Sequence, residues 1–280
     1  MKILKSITEL IDHYDNYIVD VWGVVHNGRN LFDGVLWALE ELKAANKNVI
    51  FLSNSPRRSQ HVIEDLLGYG LREDLFLGVH TSGEDAFEHF TKDAHPFYES
   101  VAQTVCYPLS VAYHQGLLED CALKTTQKLE EAQFILNTGP DSSFFNSQTL
   151  ITEFLETALT HQLPMVCVNP DMSVIIGEKM VQCAGALAQT YATMGGKVFY
   201  HGKPFPSVYT SVLNKFPTQD KARTIGIGDS IATDIQGAGN FGIDSALVLT
   251  GIEGYDNKQE DSDRFKGYPV KPTYLMSQFR

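Results

Sequence analysis

Cysteine is scarce. Cys106, Cys121, Cys167 and Cys183 are the only four in 280 residues and no CxxC pair occurs, which supports neither a zinc knuckle nor a disulfide framework and reads as the reduced thiols of a cytoplasmic protein. Basic runs are missing as well. With 22 Lys and Arg against 34 Asp and Glu the formal net charge is -12, and nothing in the chain could neutralise a phosphodiester backbone, so a general nucleic-acid partner is excluded. No apolar stretch approaches membrane-spanning length, and the segment from Met1 to Asp20 lacks the continuous apolar run and small-residue cleavage site of a signal peptide. Repeats and low-complexity tracts are absent. What remains is the composition of an ordinary globule, long enough for one large α/β domain or two modest ones, whose partner is expected to be a small molecule.

The most informative segment present is Tyr17-Ile18-Val19-Asp20-Val21-Trp22-Gly23-Val24-Val25. An apolar run that meets a carboxylate and then a glycine reads as a buried strand delivering Asp20 to the sheet edge where open α/β folds do chemistry. Val35, Leu36, Leu39 and Leu42 then recur at helical spacing, and Asn48 to Leu52 reads as a second buried strand ending in Ser53-Asn54-Ser55-Pro56. A helix over Ser59 to Leu67 closes at Gly68 and Gly70. Such alternation predicts a doubly wound parallel sheet, Rossmann-like, with helices on both faces.

From about Gly78 the texture changes. Strands expected at Val101 to Tyr107, Phe134 to Asn137 and Met165 to Asn169, with a helix over Ser147 to Thr160, form an alternating unit of their own. Residues 79–184 are therefore read as an inserted α/β cap domain, and residues 1–78 and 185–280 as the core. In the core, the helix Ala184 to Met194, the strand Val198 to Tyr200, the helix Pro206 to Lys215 and strands at Thr224 to Ile227 and Ala246 to Leu249 are expected. The polar tail beyond Gly254 is expected to wrap the surface.

Thr224-Ile225-Gly226-Ile227-Gly228-Asp229-Ser230 repeats the design of the first strand, with a second carboxylate at its end. Attack on a phosphate monoester needs a nucleophile, a cation to neutralise nonbridging oxygens, and donors that hold the phosphoryl group in line. Asp20 can attack, forming an aspartyl-phosphate. Mg2+ takes oxygen ligands and keeps several waters, so Asp20, the carbonyl of Trp22 and Asp229 meet its needs. Asp234, five residues after Asp229, is placed to hold a metal water or to orient Lys203. Ser53, through its hydroxyl, and Asn54, through the backbone N–H groups that follow, are placed to cradle the phosphate together with Lys203.

In these motifs the chain resembles the haloacid dehalogenase-like hydrolase superfamily, whose four motifs stand in order as Asp20 in YIVDVWGVV, Ser53 in VIFLSNS, Lys203 in HGKP, and Asp229 with Asp234 in GIGDSIATDIQGA. The resemblance narrows to the type IIA, NagD-like branch, which carries a large α/β cap between the second and third motifs. Thr138-Gly139-Pro140-Asp141 and Asn169-Pro170-Asp171 look like that branch's cap signatures, and Gly185-Ala186-Leu187 matches its return to the core. The resemblance implies a magnesium-dependent phosphatase of a small phosphorylated metabolite, with Asp141, Asn169 and Asp171 as candidates for touching the leaving group. A homodimer through the caps is compatible with it.

One position departs. The superfamily's phosphatases usually carry Asp two residues after the nucleophile, as the group that protonates the leaving oxygen and activates water, and Trp22 stands there instead. His26 or a metal-bound water are the candidates for filling the role. A phosphate-ester-binding pseudoenzyme and a phosphotransferase are the alternatives that this departure leaves open. Two further patterns are excluded by context. Gly237 to Gly242 matches GxGxxG, yet it closes a helix and precedes a strand, the reverse of a dinucleotide fingerprint. Met194-Gly195-Gly196-Lys197 lacks the hydroxyl residue of a P-loop, and the histidines lack metal-ligand spacing.

Overall fold

The computed structural model describes residues 1–92, 95–101, 103–111, 114, 116–176, 179–255 and 265–280. In chain order its strands are β1 (Lys2–Leu4), β2 (Asn16–Asp20), β3 (Asn48–Ser53), β4 (Gly78–Thr81), β5 (Val105–Ser110), β6 (Lys124–Thr125), β7 (Phe134–Gly139), β8 (Met165–Cys167), β9 (Ser173–Ile176), β10 (Lys179–Gln182), β11 (Val198–Tyr200), β12 (Thr224–Gly228), β13 (Asp244–Val248) and β14 (Tyr274–Met276). Seven form one sheet, ordered β1-β14-β13-β12-β2-β3-β4, with every neighbouring pair parallel. Five form a second sheet, β11-β8-β7-β5-β6, also parallel throughout, while β9 and β10 make a separate antiparallel hairpin.

The continuous apolar runs of β2 and β3 exist because both faces of the first sheet are covered. Tyr17, Val19, Val49 and Phe51 point into one core with Leu39, Leu42 and Leu66. Their neighbours Ile18, Ile50 and Leu52 point into another, with Val208, Tyr209 and Val212. Burial of each such side chain stabilises by about 1.5–3 kcal/mol, so a strand with apolar residues at every position is stable only between two helical layers.

Topology then positions the chemistry. From β2 the chain winds outward through β3 to β4, whereas β12, β13 and β14 wind to the opposite side, so β2 and β12 lie side by side where the winding reverses. A crevice opens at the carboxyl ends of strands flanking such a switch point. With Val19 opposite Ile227, Asp20 and Asp229 leave the sheet at the same edge.

Three expectations change. The strand Val198–Tyr200, assigned above to the core, is β11 and pairs with β8 in the second sheet, Phe199 opposite Val166. The helix Ala184–Thr193 goes with it, burying Leu187, Ala188 and Tyr191 against Ile135 and Met165. In the other direction Val79 to Thr81, assigned above to the cap, are part of β4 and extend the first sheet. Local periodicity identifies a strand but carries no information on which sheet it joins. Sheet membership thus moves the two crossings from 78/79 and 184/185 to near Thr81 and His201. The tail also differs: residues 256–264 lie outside the described residues, but Tyr274–Met276 enter the first sheet between β1 and β13, burying Leu275 and Met276. The GxGxxG segment behaves as its context predicts, with Gly242 closing the helix Gln236–Phe241 in the left-handed region at φ 85°. Among the described residues no helix is long and apolar enough to cross a membrane.

The Asn-Pro-Asp turn that follows β8 is held where the helix Ala184–Thr193 begins. The Gly185 N–H donates to the Asp171 carbonyl at 3.1 Å, and a Cβ at Gly185 would lie 2.1 Å from the Pro170 carbonyl oxygen. Gly185→Ala is therefore expected to destabilise the protein by about 1–3 kcal/mol through forced backbone displacement, read as a lowered thermal midpoint; an unchanged midpoint contradicts the close approach.

Candidate active site

β2 ends at Asp20 and β12 ends one residue before Asp229, and the loop after β2 must then turn sharply beside Asp229. Gly23 permits this. Its φ is +89°, and a Cβ there would lie 2.3 Å from Asp229 Oδ2, so both conformation and space require glycine. The backbone N–H of Ile252 donates to the same oxygen at 2.5 Å. Asp234 follows in the helical turn Ile231–Ile235, where its Oδ2 accepts from the Ser230 N–H at 3.1 Å. One oxygen from each of Asp20, Asp229 and Asp234 lies within 4.8 Å of the others.

Lys203, three residues after β11, joins this group. Its ammonium ion-pairs with Asp20 Oδ1, with Asp234 Oδ1 at 2.7 Å, and donates to the Leu52 carbonyl at 3.0 Å. Asp20, Asp229, Asp234 and Lys203 are all at least nine-tenths buried. Three carboxylates thus face one ammonium. Burial pushes the Asp20 carboxyl up to about 7 despite the Lys203 charge beside it, and Asp229 well above the usual carboxylate range through burial and then the negative charges of Asp20 and Asp234. Burial also opposes the Lys203 ammonium, but Asp20 and Asp234 outweigh it and hold its pKa well above that of an ordinary lysine. An all-oxygen set with this excess of negative charge fits a hard divalent cation, which would let all three acids ionise together.

Ser53, at the end of β3, accepts from the Ser55 N–H at 3.2 Å, and its own proton has no acceptor among the described residues, so it is available to an oxyanion. The Asn54 side chain does something the sequence did not suggest. Its Oδ1 accepts from the Lys203 N–H at 2.7 Å, while Nδ2 donates to the Lys203 carbonyl at 3.0 Å and to Asp171 Oδ1 at 2.8 Å. Asn54 therefore clamps the backbone of Lys203 and ties it to the second unit, leaving only its backbone N–H for phosphate.

The cap candidates separate. Asp171 reaches the site, presented by a turn in which Asn169 Oδ1 accepts from the Asp171 N–H at 3.1 Å. Asn169 is thus a turn former behind Asp171. Asp141 does not fit its expected role: it is exposed and caps the helix Ser142–Phe145, accepting from the N–H groups of Ser143 at 2.7 Å and Phe144 at 3.1 Å. An Asp at that position is explained by capping alone.

Trp22 turns away from the acids. Its indole N–H donates to the Ile175 carbonyl of β9 at 2.8 Å, and its ring lies over Gly28, where a Cβ would come within 2.6 Å. His26 sits beneath it, with ring centroids 5.0 Å apart, and His26 Nδ1 accepts from the Gly28 N–H at 2.8 Å. Burial pushes this imidazole down to about 4, so it is neutral at ordinary pH. A neutral ring packed under Trp22 and holding the loop is a framework group, unsuited to donating a proton.

One cluster escaped sequence reasoning. Asp85 Oδ2 accepts from His201 Nδ1 at 2.7 Å, the Asp85 carbonyl meets His89 Nδ1 at 2.8 Å, and His201 Nε2 meets the Tyr98 hydroxyl at 2.6 Å. Burial raises the Asp85 carboxyl, but His201, His80 and His89 together outweigh it and hold it well below the usual range. Although Asp85, His89 and His201 have the composition of a metal site, both His201 ring nitrogens already have hydrogen-bond contacts. The cluster reads as a buried network fixing the segment that precedes Lys203. Its members lie up to 116 residues apart, so no spacing could reveal it.

Residues 17–106 match a family described as haloacid dehalogenase-like hydrolase, and residues 200–280 match one described as HAD-hydrolase-like. The dihydroxyacetone phosphatase of Corynebacterium glutamicum is 25% identical over 274 residues, covering 94% of this chain and 88% of that protein. The ribonucleotide monophosphatase NagD of Escherichia coli is 32% identical over 111 residues, 39% of this chain and 40% of that one. A crystal structure of a haloacid dehalogenase-like hydrolase from Brucella suis superposes with a TM-score of 0.84 at 26% identity, covering 99% of this chain and all of that one.

The charge imbalance generates a direct expectation. A divalent cation at a hundred times its Kd should stabilise the folded protein by about 2.7 kcal/mol, measured as an upward shift in thermal midpoint, and Asp229→Asn should abolish most of the shift. An equal shift in that variant would put the cation elsewhere.

Proposed function

Because the chain belongs to the haloacid dehalogenase-like hydrolases, in their type IIA, NagD-like branch, we propose that it is a Mg2+-dependent phosphatase of a small phosphorylated metabolite, working through a phosphoryl group carried on Asp20. The observation that carries the reading is the convergence of Asp20, Lys203, Asp229 and Asp234 at the switch point of the first sheet. Relatives named as phosphatases, covering most of the chain, support the same reaction class.

In this reading one Asp20 oxygen attacks phosphorus in line with the ester oxygen. Lys203 offsets charge on the nonbridging oxygens and favours the ionised form of Asp20 against its burial. The Ser53 hydroxyl and the backbone N–H of Asn54 supply donors aimed at the phosphoryl group. Asp20, Asp229 and the Trp22 carbonyl would hold Mg2+, which supplies electrostatic stabilisation of the transferring group when bound. Asp234 works through Lys203, fixing the ammonium from the side opposite Asp20. Water then attacks the acyl phosphate and regenerates Asp20.

The test is turnover of a panel of sugar phosphates, nucleoside monophosphates and 4-nitrophenyl phosphate with Mg2+ present. Metal-dependent release of inorganic phosphate is expected, and Asp20→Asn should lower it by at least about a thousandfold, as expected for loss of a covalent nucleophile. Equal turnover in the variant, or phosphate appearing on an added alcohol in preference to water, sinks the hydrolase reading. His26→Gln should leave the pH profile of turnover unchanged, as fits a neutral framework imidazole, and a displaced profile contradicts that assignment.

A further inference from the structure

Hydrolysis by this site leaves one role without an owner. The ester oxygen must be protonated as it leaves and the attacking water must be deprotonated, yet the side chain two residues after Asp20 is an indole bonded to the Ile175 carbonyl. His26 is spent on the loop beneath it. Asp20, Asp229 and Asp234 are committed to phosphorus, the cation and Lys203. One carboxyl at the rim remains.

We infer that Asp171, set on Asn54 by the Asn-Pro-Asp turn, is the proton donor to the leaving oxygen and then the proton acceptor from the attacking water. The inference rests on the phosphatase reading above. Three contacts fix the residue: its N–H on Asn169 Oδ1 at 3.1 Å, its carbonyl on the Gly185 N–H at 3.1 Å, and its Oδ1 on Asn54 Nδ2 at 2.8 Å. Because Asn54 also grips both backbone polar groups of Lys203, the Asp171 carboxyl is tied directly to the residue that clamps the phosphate-facing lysine. Oδ2 has no hydrogen-bond partner among the described residues and is the atom to carry the proton.

The surroundings favour a carboxyl that holds its proton near neutrality. Burial pushes Asp171 up to about 6 against the attraction of Lys203 and the Asn54 bond, with Asp234 adding to the rise. The other titratable groups facing it are Asp20 of the first sheet and the thiols of Cys167 and Cys183. An arriving phosphate dianion adds like charge and raises the carboxyl further. In the first step the Asp20–phosphorus bond forms, the bond from phosphorus to the ester oxygen breaks, and the Asp171 proton passes to that oxygen, releasing an alcohol and leaving Asp171 ionised. In the second, water oxygen bonds to phosphorus, its proton passes to Asp171, and the Asp20–phosphorus bond breaks. Both carboxyls return to their starting states.

The test compares two esters on the Mg2+-loaded full chain by rapid quench. 4-Nitrophenyl phosphate has a leaving group that needs no proton, and glycerol phosphate has one that does. Asp171→Asn keeps an oxygen for Asn54 and loses the proton. With the nitrophenyl ester the variant should retain a stoichiometric burst of nitrophenolate, followed by turnover slowed by about 10²–10⁴-fold. With glycerol phosphate its phosphorylation step should itself slow by that factor. Equal losses with both esters, or no loss with either, overturn the assignment while leaving the phosphatase reading intact; wild-type protein inert toward both esters overturns the phosphatase reading and the assignment with it. Wild-type protein provides a second measurement independent of the variant's folding. Its phosphorylation rate with glycerol phosphate should fall as pH rises through the donor's pKa, whereas the nitrophenyl ester should show no such alkaline limb. Alkaline limbs of the same size for both esters overturn the assignment.

Discussion

An ammonium held between two carboxylates organises this molecule. Lys203 reaches Asp20 at the end of β2 and Asp234 beyond the end of β12, so it joins the two strands that flank the switch point. A lone buried ammonium costs several kcal/mol in desolvation, and so does each buried acid; the arrangement is stable only as a set. Much of the local structure maintains that set. Asn54 holds the Lys203 backbone at both polar groups, Gly23 makes way for Asp229, and the Asp85–His201 network fixes the residues just before Lys203. A divalent cation bound there would neutralise the remaining excess of negative charge and complete the electrostatic balance.

The second unit contributes chemistry as well as cover. In the usual arrangement the proton-handling carboxyl follows the nucleophile on the same loop. Here that position holds an indole, and the indole bonds the hairpin that begins two residues after Asp171. One substitution therefore removes an acid from the core and anchors the segment that offers another. The two halves of this exchange are physically linked, because a carboxyl on a separate unit is useful only if that unit is held at sub-ångström precision over the site. Trp22 and Asn54 hold the second unit from the first, and Gly185 fixes the Asp171 turn within the second unit.

How far the sequence reveals this depends on the range of each interaction. Asp20, Ser53 and Asp229 are legible because each ends an apolar run, and a run buried on both faces announces a central parallel strand. Lys203 is legible through its order among the motifs. By contrast, the sheet that β11 joins and the existence of β14 are not legible, because three residues carry no periodicity and pairing partners lie far away in the chain. Asn54 is legible as a backbone donor after β3, but the commitment of its side chain to Lys203 and Asp171, 149 and 117 residues away, is not. Asp141 and Asp171 look equivalent in sequence, each an Asp beside Pro in a turn; only the fold distinguishes an exposed helix cap from a half-buried side chain bonded to Asn54.

Placing the proton donor on a different unit from the nucleophile has a consequence for control of the reaction. When both groups share a loop, an open site can attack and protonate, and water can reach the acyl phosphate at any time. With the donor on the second unit, Asp20 as nucleophile would expel a poor leaving group only while Asp171 sits on Asn54 and Trp22 holds β9. The same contacts between the units would lower the local dielectric, which would strengthen the interactions of Lys203 with a transferring group. On the reading that Asp171 is the proton donor, a ligand that fits under the second unit without displacing Asp171 is selected over one that does not. Substrate choice in this protein is thus expected to reside less in the acids of the first sheet than in whether the leaving group lets the Asn169-Pro170-Asp171 turn come to rest.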